Sequence, residues 1–154
     1  MEALLLLLEQ SSPAQWLRVS RWGYASINTL HVLGITLLVG AIVPLDLRLL
    51  GWWRSISLEP LARLLQSAAS AGLLLVLATG PLLFIGRATE YAGQPLFLVK
   101  LGLIALAIAN ALTLNLGPGL TGASALRLRI AGGISLLLWP AIVVVGRFIG
   151  FVAD

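Results

Sequence analysis

The chain has no cysteine, one histidine, one methionine and one lysine among its 154 residues. Without thiols there is no disulfide, no iron–sulfur cluster and no thiolate metal site. A single imidazole and a single thioether also exclude a copper or zinc cage built from several soft or imidazole ligands of one chain. Charge is scarce: 10% of residues are charged, against about 25% in an ordinary soluble domain. The net charge of +4 comes from arginines near the ends of apolar runs, where lipid headgroups lie, and is not a nucleic-acid signal. No Asp or Glu falls inside those runs, since Asp46 marks the end of the first. That argues against a proton- or cation-coupled carrier, which would place acidic groups within its spans.

What remains is hydrocarbon. Hydrophobic residues make up 59% of the chain, and the mean hydropathy is +1.01. Four runs, near 24–44, 61–85, 95–116 and 128–151, reach about 20 residues or more, enough to cross roughly 30 Å of hydrocarbon as helices. The expected fold is all-α, an integral membrane four-helix bundle over residues 23–154. The lipid bilayer is its first partner. Residues 1–22 form a separate interfacial segment of one or two short helices, because Trp16, Arg18, Arg21 and Trp22 suit the headgroup region. The five leucines near the start are too short a run to span.

Local chemistry marks the boundaries. Pro60 and Pro95 suit first helical turns. Trp52 and Trp53 mark an interface. Ser67, Ala68, Ala71 and Gly72 permit close helix–helix approach. Pro81 removes one ladder hydrogen bond from the second span and should bend it. Gly117-Pro118-Gly119 ends the third. Trp139 is placed to line a pocket wall, and Asn110 to tie helices together. Arginines are slightly more numerous in the loops after spans one and three, which puts both termini outside the cytoplasm.

Alternating spans bring the starts of spans one and three and the end of span four to one side. His31 lies roughly 10 Å in from the start of span one, at 1.5 Å per residue. Lys100 lies about 7.5 Å into span three, and Arg147 near 6 Å from the end of span four. Arg87 occupies the loop on that side. One imidazole and one amine can supply the two axial ligands of a haem iron, and the two arginines are placed for its propionates. Gly34 and Ala107 leave room beside the ligands. Asn28, three residues before His31, is expected to orient the ring through its other nitrogen. The plainer reading is that Lys100 and Arg147 snorkel to the surface and His31 ties spans together.

The stretch Leu30-His31-Val32-Leu33-Gly34, with Lys100-Leu101-Gly102-Leu103, resembles the HemJ-type protoporphyrinogen oxidases and the wider CopD-like membrane group. In the HemJ type a His of an early span and a Lys of a later one ligate haem b. The resemblance therefore implies His31 and Lys100 as iron ligands. The order from His31 through Asp46-Leu47-Arg48-Leu49-Leu50-Gly51 to Pro95–Lys100 and Gly146-Arg147 is more similar still to uncharacterised four-span bacterial proteins, which implies a bacterial inner membrane. The first expectation is a membrane haem b protein, an electron carrier or oxidoreductase acting on a quinone or a porphyrinogen, with haem between spans one and three. The alternative is a non-catalytic subunit or assembly factor, in a homo-oligomer or a larger membrane complex.

Overall fold

Each apolar run forms one helix. The structure, a computed structural model, describes residues 2–117 and 119–152. Two short helices, α1 (Glu2–Glu9) and α2 (Ser12–Val19), lead into α3 (Arg21–Leu50). Then come α4 (Leu58–Ile85), the short α5 (Ala88–Ala92), α6 (Pro95–Asn115), the one-turn α7 (Gly119–Gly122) and α8 (Ala125–Val152). There is no strand among the described residues. Four of the helices, α3, α4, α6 and α8, are long and apolar enough to cross a membrane. At 1.5 Å per residue α6 is about 31 Å long, close to the hydrocarbon thickness, and the other three are about 40 Å or more. Their ends therefore reach into the headgroup region. This is a multi-pass membrane protein.

The first span differs from its expected limits. It starts at a Ser20 cap, whose hydroxyl accepts from Gly23 N at 3.0 Å. It runs straight through Pro44 and ends only at Gly51, whose φ of 108° is left-handed. A proline in a helix interior removes one ladder bond, and membrane helices tolerate that loss better than soluble ones. The left-handed glycine is the true stop. Asp46 therefore lies inside the helix and not beyond its end. Pro118, part of the expected terminator of span three, lies outside the described residues.

Helix α3 is central. It packs along α4 on one side and α8 on the other, and α6 packs on α8. In lipid the hydrophobic effect does not drive helices together, so close approach and hydrogen bonds do. At the α3–α4 crossing, a Cβ on Gly72 would sit 2.6 Å from Leu38 N and 2.8 Å from Gly34 O. No side chain fits there. A Cβ on Gly132 would meet Leu49 Cβ at 3.0 Å and Asp46 O at 3.2 Å, which sets the α3–α8 crossing. Asn110 Nδ2 donates to Ala131 O at 3.0 Å and ties α6 to α8, as expected of it. Leu38, Ala107, Trp139 and Ile142 form the midplane core.

Helices α4 and α6 do not pack along their length, and a seam separates them. It is closed at its two ends. Gln66 Nε2 donates to Asn115 Oδ1 at 3.0 Å at one end. At the other, Phe84, Tyr91 and Phe97 stack, with the Phe84 and Phe97 centroids 5.3 Å apart.

Candidate functional site

His31 is half-buried on α3 and faces α4. Its Nδ1 lies 2.8 Å from Thr79 Oγ1. The Thr79 hydroxyl also lies 2.7 Å from Leu75 O, one turn back in its own helix. A hydroxyl has one hydrogen, and the Leu75 carbonyl can only accept. With the hydroxyl donating to Leu75 O, it accepts from the imidazole, so that Nδ1 carries the proton and Nε2 of the neutral ring keeps a free lone pair. Thr79 is 4% exposed, so nothing in water competes for this bond. A neighbouring hydrogen bond that fixes the tautomer and aims the other nitrogen is the arrangement that metal-ligating histidines use.

Space beside the ring comes from Gly80. A Cβ there would meet only the ring, with His31 Cε1 at 3.5 Å. Lys100 is half-buried on α6, and its stem lies over Gly146 of α8. A Cβ on Gly146 would meet Lys100 Cε and Nζ, each at 3.4 Å. Among the described residues the Lys100 amine has no hydrogen bond and no ion pair. The sole imidazole and the sole amine thus stand at the same end of the bundle, each beside a glycine. They occupy different helix pairs, α3 with α4 and α6 with α8, on either side of the seam.

Several expectations about this site are corrected. Asn28 is exposed, and Thr79, from a helix 48 residues on, holds the imidazole instead. Gly34 leaves no room for a ligand, because Gly72 and Val76 of α4 fill the space it opens. Ala107 is 1% exposed within the midplane core, so it leaves none either. Arg147 and Arg87 do lie at the expected end. Arg147 sits over the Phe151 ring at 4.6 Å, and Arg87 pairs with Glu90 at 3.6 Å. Both are exposed.

The N-terminal helices cover this end. Glu9 accepts from Thr89 N at 2.8 Å and Thr89 Oγ1 at 2.6 Å, and pairs with Arg18 at 3.1 Å. Arg18 Nε donates to Gly86 O at 2.9 Å. Those hydrogen bonds, first from the Thr89 hydroxyl and then from its N–H, hold the Glu9 carboxyl below its ordinary range. Trp16 lies on Gly23, where a Cβ would come within 2.6 Å of the ring. So the leading segment is pinned to the turn between α4 and α5.

Two residues carry more than the sequence pattern suggested. Thr79 is one, since a threonine in a membrane helix usually bonds its own backbone. Asp46 is the other. It sits at 4% exposure, and its Oδ2 has no hydrogen-bond partner among the described residues. Its position two residues beyond Pro44 concealed that burial. No protein-family model, curated protein or solved structure matches the chain.

Proposed function

We propose that the chain is a membrane-embedded haem b protein that acts in electron transfer or as an oxidoreductase. His31, through Nε2, and Lys100, through its amine, would hold the iron. The observation that carries this reading is the His31–Thr79–Leu75 relay. It leaves one basic nitrogen of the only histidine without a partner among the described residues, inside a membrane helix, which costs free energy unless a ligand takes it up. The donor set suits haem iron, whereas a cage of several protein ligands is out of reach: there is no group of three or more His, Cys, Asp or Glu side chains among the described residues.

The chain's own residues have distinct tasks. Thr79 holds the ring and its tautomer. Gly80 leaves space beside the His31 ring, and Gly146 lets the Lys100 stem lie against α8. Lys100 would hold the iron as the free amine. Arg87 and Arg147 are at the right end for two propionates. The bilayer and the docked N-terminal helices keep bulk water away. Bound haem would supply one-electron chemistry, and ligand identity and burial would set its potential. A quinone or a porphyrinogen is the substrate class, and a bacterial inner membrane with both termini outside the cytoplasm is the setting.

The test is the visible spectrum of the full chain purified from haem-replete cells. A Soret band that His31→Ala abolishes and Lys100→Met shifts is expected. A colourless wild-type protein, or a band indifferent to His31→Ala, overturns the reading.

A further inference from the structure

A second polar site lies near the opposite end of α3. Asp46 is fifteen residues beyond His31, about 22 Å along the helix at 1.5 Å per residue. It lines a partly open cavity of about 450 Å³ formed by α3, α4, α6, α7 and α8 along the α4–α6 seam. That is the size of a small-molecule site. The wall is mostly aliphatic, with Trp139 as its aromatic part and Asp46, Ser135, Asn110 and Gln66 among its polar members.

Its polar groups are unevenly disposed. The nitrogen of each lining amide is already turned to a protein acceptor: Asn110 to Ala131 O, Gln66 to Asn115 Oδ1, and Asn115 to Ala111 O. Those bonds fix the amide orientations and leave the Asn110 and Gln66 oxygens free to accept. Asp46 Oδ2 is a further acceptor without a partner. Among the described residues no lysine, arginine or histidine lines the cavity. A buried carboxyl of this kind needs a proton or a cation, and a fixed basic partner is missing. The site therefore asks for a donor with positive charge on an otherwise apolar body. An aliphatic wall disfavours a hydrated inorganic ion, and an aromatic face favours an organic ammonium.

We infer that this cavity binds a small organic ammonium ion, with Asp46 as its counter-ion and Asn110 as a second acceptor. The site is separate from the one proposed around His31, and nothing in the inference requires haem.

Equilibrium binding to the detergent-purified full chain at neutral pH tests it, with 1-adamantylamine as probe and 1-adamantanol as its neutral counterpart. One saturable site for the amine is expected, with at least tenfold weaker binding of the alcohol. Asp46→Asn should weaken the amine at least tenfold and leave the alcohol unchanged. Ala69→Leu keeps the carboxyl but fills the cavity from α4, so it should abolish binding of both and serves if Asp46→Asn misfolds. No saturable binding of the amine, equal affinity for amine and alcohol, or amine binding that survives either variant each overturns the inference.

Discussion

His31 and Asp46 stand on the same helix, and their surroundings differ in kind. The imidazole has a protein partner on one side, Thr79, and a free nitrogen on the other. The carboxyl has an oxygen with no partner and faces a cavity. One end of α3 presents an oriented lone pair beside Gly80. The other presents an unpartnered carboxyl oxygen to a partly open, mainly aliphatic space. The first arrangement suits coordination of a metal centre, the second recognition of a cation. Between His31 and Asp46 lies the midplane core around Leu38, Ala107, Trp139 and Ile142, of which Leu38 and Trp139 also form part of the cavity wall.

If the two regions are independent, substitutions should sort cleanly. The largest effect belongs to His31→Ala, which should remove the Soret band entirely, while Asp46→Asn leaves the band in place. Absorption spectra of the two variants, prepared side by side, check this. Loss of the band in Asp46→Asn with a folded protein would join the two regions into one.

Next comes Gly72→Val, which attacks what both regions share. The α3–α4 crossing has no space for a side chain. Overpacking of that kind costs about 1–3 kcal/mol, and the crossing also holds Thr79 against His31. A lower melting temperature in detergent is expected together with weaker haem retention. A variant with unchanged melting would mean that the backbones are not in contact there.

Thr79→Val should be milder. It keeps shape and removes the hydroxyl, so haem affinity should fall by about 10–100-fold, the usual cost of losing a group that orients a ligand. Asn28→Ala should leave affinity unchanged, as the exposed position implies. Haem titration of both variants separates the two candidate ring partners.

The smallest effect concerns the cover over the His31 end. The carboxyl of Glu9 titrates below its ordinary value in the docked state. A depressed acid favours docking above the free glutamate pKa of about 4.3 and loses that contribution as pH falls through the docked-state value. Proteolysis of the N-terminal segment should therefore accelerate only in strong acid. Glu9→Gln, which cannot ionise, should show no such acid step.

Much of this architecture was legible because membrane helices announce themselves by length and hydropathy. The spans, the short leading helices and the gathering of His31, Lys100, Arg87 and Arg147 at one end follow from run lengths and alternation alone. Details that depend on which residue meets which were not legible. Gly34 reads as space in the chain, yet α4 occupies that space, because a glycine cannot say whether a ligand or a backbone will approach it. Thr79 gives no signal, since hydroxyls in apolar helices commonly bond one turn back. Asp46 was misplaced by Pro44, which looks like a terminus and is instead an interior proline. Its burial depends on the packing of α8 at Gly132, more than eighty residues later in the chain.

The lone histidine makes a direct test possible. In protein labelled with nitrogen-15 at the histidine ring, solid-state NMR should give one pair of ring signals in the bilayer. Nδ1 should be protonated and Nε2 bare before haem is added, and the Nε2 signal should move or broaden beyond detection once haem is bound. A protonated Nε2 in the haem-free protein, or a pair of signals that haem leaves untouched, would contradict the assignment of His31 as a poised ligand.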